Sequence, residues 1–259
     1  MNERVTLHAD GRTTLRLQRR LPHPIEKVWR AITSPEHMAA RFPAEAGIDG
    51  DRTTYGFGAD GRITENDPPH VFAHTWDTGL LRWELTPDGE GGTLPTFTHT
   101  FTDRHGAAGF AAGWHTCLAA LLAHLDERPF TGTGDTARLH EDHMAVLGLP
   151  SATVTGTGVR VERRLTRPAA DVWRLLGGPD AVVGAAPPAP FTGPAAPAGT
   201  VSRVEAGTLL EYDAGGTTVR WELGPGTGHG ARLILTHDGQ TATLDAWRVH
   251  VEELAASLL

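Results

Sequence analysis

Lysine is nearly missing from this 259-residue chain, since Lys27 is the only one among 23 basic residues. It stands between Glu26 and Val28, so the Gly-Lys-Ser/Thr of a phosphate-cradling loop is absent and no Walker-type nucleotide site is expected. Positive charge as a whole is short: 31 acidic residues leave a formal net charge of −8. Nucleic acids and anionic membrane surfaces are bound by basic patches that displace counterions, so neither is expected as a partner. Cysteine is reduced to Cys117, which excludes an intrachain disulfide and fits a reducing cytoplasm. The serines are Ser34, Ser151, Ser202 and Ser257, and none lies in the Gly-x-Ser-x-Gly of a nucleophile elbow. No apolar run approaches the roughly 20 residues of a membrane span. The opening Met1-Asn2-Glu3-Arg4 has no apolar stretch of the signal-peptide kind. What remains is a composition of 39% hydrophobic and 21% charged residues, which suits a folded core.

The chain repeats itself. LRLQRRLPHPIEKVWRAITSPE, from Leu15 to Glu36, recurs as VRVERRLTRPAADVWRLLGGPD, from Val159 to Asp180, with nine identities in 22 positions. Arg82-Trp83-Glu84-Leu85 recurs as Arg220-Trp221-Glu222-Leu223, Thr98-His99 as Thr236-His237, and Trp114 as Trp247. The offset falls from 144 to 138 to 133 along the chain, so the second copy is about 11 residues shorter in its middle. The larger pocket is therefore expected in the first copy.

Each copy reads as the same succession of elements. A first strand alternates at Leu15 and Leu17, and Pro24 suits the first turn of a helix from Ile25 to Thr33 with Val28, Trp29 and Ile32 as its apolar stripe. Trp29 reads as a core anchor. Ser34-Pro35-Glu36 restarts a second short helix. Asp49-Gly50, Ala59-Asp60-Gly61 and Pro87-Asp88-Gly89 are turn signals between short strands, the clearest being Val71 to Asp77, Leu80 to Thr86 and Thr93 to Thr102. Ala107 to Asp126 then places Phe110, Trp114, Cys117, Leu118, Leu121 and Leu125 at helical spacing. A sheet with one apolar face must bury it, and this long helix is the partner of sufficient size. The expected domains are 1–128, a linker at 129–157 with a short helix capped by Asp135, and a shortened domain at 158–259. The Pro/Ala/Gly-rich stretch from Gly184 to Gly199 stands where the second copy would have its second helix, which is expected to be lost there.

The stretches RRLPHPIEKVWRAITSPEHMAARF, VFAHTW, LRWELTPDGEGGTLPTFTHTF and AAGWHTCLAALLAHL resemble the Aha-type family, the activators of the ATPase of heat-shock protein ninety and their homologues. That family lies within the START, polyketide-cyclase and birch-pollen-allergen superfamily, SRPBCC. The resemblance covers about Thr13 to Arg128, and more weakly Gly158 to Leu259, where Gly113-Trp114 has become Ala246-Trp247. It implies an α+β fold of tandem helix-grip domains, each a curved antiparallel sheet wrapped around a long C-terminal helix, with two short helices after the first strand and often an apolar cavity. Members bind lipids and other hydrophobic molecules, cyclise polyketides or contact chaperones. The chaperone activators carry a separate N-terminal domain of another kind, whereas the second half of this chain is another copy of its first, so activation of a chaperone is not the expectation.

Strand alternation puts Phe97, His99 and Phe101 on one face, and Trp83 with Leu85 on another. If both faces look at the helix of Trp114, then Trp83, Phe97, His99 and Trp114 line a ligand pocket; the alternative is a closed core. Among fourteen histidines, His70 and His74 lie about 13 Å apart in a strand and cannot share a metal. His140 and His143 are three apart on a helix, outside any His-Glu-x-x-His pattern, and read as a solvated face, so neither metal nor cofactor is expected. Cys117 reads as a buried, inert thiol. Arg19-Arg20 and Arg163-Arg164 read as solvated or ion-paired strand residues. The leading expectation is a non-enzymatic binding protein for a small hydrophobic ligand or a client protein. The alternatives are an aromatase/cyclase-like enzyme, with His99 ahead of His74 and His115 as its polar group, and an interaction module without ligand.

Overall fold

A computed structural model describes residues 2–37, 46–55, 60–149, 152–193, 196–227 and 230–259. The chain divides into two compact units, Met1–Leu147 and Gly148–Leu259.

The first unit runs β1 (Asn2–Leu7), β2 (Thr13–Gln18), α1 (Ile25–Thr33), β3 (Ala46–Asp49), β4 (Arg52–Tyr55), β5 (Gly61–Asp67), β6 (Val71–Trp76), β7 (Gly79–Pro87), β8 (Thr93–Phe101), α2 (Ala107–Leu125) and α3 (Thr136–Leu147). Its eight strands form one sheet in the order β1-β2-β8-β7-β6-β5-β4-β3, every pair antiparallel. Register explains the core. Leu15 and Leu81 flank His99, while Leu17 and Trp83 flank Phe97. With side chains alternating faces, these rows fall together on the side that meets α2, and all are buried.

α1 begins after Pro24, whose fixed φ and missing N–H cost nothing there. It buries Ile25, Val28 and Ile32, and Trp29 stands half-buried, edge-on to Phe72 at 6.2 Å. The second short helix expected after Ser34 begins at residues 35–37, and the residues that follow His37 lie outside those described. Lys27 Nζ donates to the Leu125 carbonyl at 2.7 Å, placing the chain's single ammonium at the negative end of α2. The segment Arg104–Leu125 has the length and apolarity of a membrane span, with a mean hydropathy of 1.3. Its Trp114, Leu118 and Leu121 are buried in the fold. Cys117 is half-buried rather than enclosed.

α3 lies in the stretch read as a linker, yet it packs on α2 and β1 and belongs to the first unit. Asp135 Oδ1 accepts from the Ala137 and Arg138 amides at 3.0 and 3.1 Å, an N-cap. The solvated face expected at His140 and His143 is not there, since both rings are buried while Val146 is 66% exposed.

The second unit runs β9 (Ala152–Thr155), β10 (Gly158–Arg164), α4 (Ala169–Leu175), β11 (Val201–Glu205), β12 (Leu209–Asp213), β13 (Thr218–Pro225), β14 (Ala231–His237) and α5 (Leu244–Ser257). Its sheet order is β11-β12-β13-β14-β10-β9. β9, within the stretch read as a linker, is an edge strand on β10. Between α4 and β11 the described residues hold two 3-10 turns, Gly178–Asp180 and Ala189–Phe191, and no α-helix. Phe191 is fully buried, and the Tyr212 hydroxyl donates to its carbonyl at 3.2 Å. A ring from a loop thus fills core space in this unit. Arg163 is buried and reaches both carboxylate oxygens of Glu252 on α5 at 3.1–3.2 Å. Each unit is an α+β helix-grip fold in which an antiparallel sheet closes on a long helix that follows its last strand.

Candidate functional site

The first unit brings Trp83, Phe97, His99 and Trp114 together. β7 and β8 set Trp83 and Phe97 side by side, with ring centroids 4.6 Å apart. Phe97 lies 4.5 Å from Trp114 of α2. His99, two residues along the same face, is ringed by Phe110 at 4.5 Å, Phe101 at 4.7 Å, Trp76 at 5.5 Å and Trp114 at 5.9 Å. The four expected residues are each no more than 6% exposed. Trp76 and Phe110, which sequence reading did not place in the site, are only half-buried and continue the same aromatic layer outward.

His99 carries the polarity of this layer, and its protonation state follows from geometry. Trp114 Nε1–H donates to His99 Nδ1 at 3.2 Å. An indole nitrogen can only donate, so His99 Nδ1 must offer a lone pair and the ring proton sits on Nε2. Burial pushes the His99 pKa down to about 3, so the ring is neutral at physiological pH. The Nε2 edge faces Gly79, where even a Cβ would come to 3.0 Å from Nε2 and 2.8 Å from the Thr100 carbonyl. No acceptor for Nε2–H is found among the described residues.

The second unit holds the same pair and completes it. Trp247 Nε1 donates to His237 Nδ1 at 3.0 Å, Thr243 Oγ1 lies 3.2 Å from the same nitrogen, and Thr217 Oγ1 meets His237 Nε2 at 3.0 Å. Burial lowers the His237 pKa too. The offset of 138 that aligns Arg82 with Arg220 also aligns Gly79 with Thr217. The register agrees, since Leu81 pairs with His99 and Val219 with His237. The threonine that satisfies one imidazole is thus a glycine beside the other.

The remaining polar candidates lie elsewhere. His74 is buried beside Phe72 at 5.5 Å, and its Nδ1 meets the Thr75 carbonyl at 3.0 Å. His115 is on α2 but its ring faces His143 at 5.6 Å. Clefts outlined by described residues include one of about 230 Å³ in the first unit, lined by Lys27, Arg30, His37 and His124. The second unit has one of about 310 Å³ along its outer Arg/Glu rows, one of about 300 Å³ beside His250, and a shallow one of about 460 Å³ at Arg167 and Leu258. None of these is lined by the four aromatic-layer residues.

Residues 22–126 match the family model described as "Activator of Hsp90 ATPase homolog 1-like protein". No curated protein matches the chain. Similar solved structures include a conserved protein of unknown function from Enterococcus faecalis, 19% identical, covering 56% of this chain and 89% of that one with a TM-score of 0.48. CalU16 from Micromonospora echinospora is 19% identical, covers 57% of this chain and 94% of its own, and gives a TM-score of 0.48. A protein from Bordetella parapertussis is 24% identical over 52% of this chain and 86% of its own, with a TM-score of 0.44.

Proposed function

We propose that the first unit, an Aha-type segment over residues 22–126, binds a small hydrophobic, ring-bearing molecule at the layer of Trp83, Phe97, His99 and Trp114, with His99 Nε2–H as the one polar anchor. The observation that carries this reading is the unmatched donor. His99 makes its one hydrogen bond at Nδ1, whereas in the second unit Thr217 also meets the Nε2 of His237. A carbonyl or ether oxygen on a ligand supplies the missing acceptor. Aromatic walls with one fixed donor are the ordinary make-up of a small-molecule site, and the half-buried Trp76 and Phe110 mark its outer rim.

Binding is better supported than cyclase chemistry at this position. A general base needs a free lone pair; His99 Nδ1 already accepts from Trp114 and Nε2 carries the proton, so the ring can orient an oxygen but not abstract a proton. A protein client would need an exposed apolar face, and these four side chains are buried.

The test compares two probes of equal shape, 2-acetylnaphthalene and 2-isopropylnaphthalene, titrated against the full chain by tryptophan fluorescence. The ketone should bind about tenfold tighter, the ~1.4 kcal/mol of one net hydrogen bond. His99→Phe should abolish that preference. Trp114→Phe should lower the melting temperature but keep the preference, because the Nε2 donor remains. Equal binding of both probes, or no binding of either, refutes the reading.

A further inference from the structure

A second cluster stands apart from the aromatic layer. Glu3 on β1, His115 on α2 and His143 on α3 each offer one ligand atom, and those atoms lie within 4.8 Å of one another. His143 Nδ1 meets Glu3 Oε2 at 2.6 Å, with both side chains over nine-tenths buried. The other nitrogen of His143, Nε2, and the Nδ1 of His115 are buried with no hydrogen-bond partner. The two rings face each other edge-on at 5.6 Å. Three segments distant in sequence therefore converge two imidazoles and a carboxylate on one point, and His115 brings an unsatisfied Nδ1 to it. Such orphans call for an explanation, an unseen ion or water being the usual one.

We infer that Glu3, His115 and His143 form a binding site for a borderline divalent transition-metal ion, of the Zn²⁺ class, which fastens β1 and α3 to α2. Two imidazoles and one carboxylate are a donor set that Zn²⁺, Co²⁺ and Ni²⁺ take in preference to Mg²⁺ or Ca²⁺. In a tetrahedron with bonds of ~2.05 Å the ligand atoms sit about 3.3 Å apart, so the Glu3–His143 pair opens from 2.6 Å as the metal enters. The ion takes the place of the hydrogen between Glu3 Oε2 and His143 Nδ1. That proton passes through solvent to His143 Nε2, a change of tautomer with no net proton release. His115 is ready to ligate, because its Nδ1 is buried with no hydrogen-bond partner. Three protein ligands leave the fourth position to water.

The experiment is a calorimetric titration of the chelator-treated full chain with Zn²⁺, repeated with Co²⁺ while following its visible absorption. The wild-type chain should bind one equivalent, show the intense bands of a low-coordinate Co²⁺ ion, and melt several degrees higher when loaded. Glu3→Gln, His115→Asn and His143→Asn should each weaken binding by at least about tenfold, the lower end of what loss of a supporting ligand contact costs. His124→Asn, in the separate His37–His124 pair (2.8 Å), should leave it unchanged. Absence of stoichiometric binding to the wild-type chain overturns the inference whether or not the variants fold. So does binding that survives Glu3→Gln and His115→Asn, or that is lost in His124→Asn.

Discussion

At the residue scale the two buried histidines differ in the hydroxyls around them. His237 is held at both nitrogens by Trp247, Thr243 and Thr217, whereas His99 is held at one. Both are neutral because burial disfavours the charged ring, and both accept an indole N–H that a protonated Nδ1 would repel. The consequence for pH has a definite sign. The unfolded chain binds a proton at each of these histidines near pH 6.5, while folded His99 resists until about pH 3, so between those values the unfolded state holds more protons and folding stability rises with pH. Stability is complete above about pH 7 and declines as pH falls toward 3. Thermal melts of the full chain across that range should show this decline, and His99→Phe should flatten it. A melting temperature that holds steady from pH 7 to pH 4 would contradict the tautomer assigned here.

At the scale of elements, Arg163 and Glu252 are an unequal pair. The guanidinium on β10 is 2% exposed, while the carboxylate on α5 is 43% exposed. Removing the carboxylate takes the bidentate acceptor from a buried guanidinium; removing the guanidinium leaves an acid that water can reach. Glu252→Ala should therefore destabilise the second unit more than Arg163→Met, by about 1–3 kcal/mol, the range for a lost hydrogen bond to a buried charged group. Urea unfolding of the two variants decides the order. The elements also show what could be read in advance. α1 is legible from Pro24 and its apolar stripe, and β7, β8 and α2 from alternation and period. That alternation put Phe97 and His99 on one face, and helical spacing put Trp114 opposite. The docking of α3 was not legible, because its buried side is made of His140 and His143 while Val146 points to solvent. A pattern that counts aliphatic residues finds no stripe there. Trp76 was missed because its strand shows no clean alternation, with Phe72, Ala73 and His74 all buried. The Glu3–His143 contact spans 140 residues, which no local periodicity can show.

At the scale of the whole molecule, the division falls after Leu147, inside the stretch 129–157 read as a linker, and α3 goes with the first unit. The fragment 1–147 should therefore unfold cooperatively and at a higher temperature than the fragment 1–128, which lacks α3 and leaves the faces of α2 and β1 beneath it bare. The fragment 148–259, with its own continuous core from Val159 to Leu258, should fold without the other. Circular dichroism melts of the three fragments test this, and equal stability of 1–128 and 1–147 would show that α3 contributes nothing. The packing of α3 on the N-terminal strand also imposes an order on events during synthesis. β1 is made before the rest of its sheet, and His143, the partner of its Glu3, is made 140 residues later. At roughly 5–20 residues per second the nascent chain spends about 7–28 s with that strand unable to meet its helix. For this interval β1 has only the ladder to β2, at an open sheet edge of the sort that recruits other chains. Translation speed across the 140 residues that separate Glu3 from His143, rather than the stability of the finished fold, then sets how long that edge stays open.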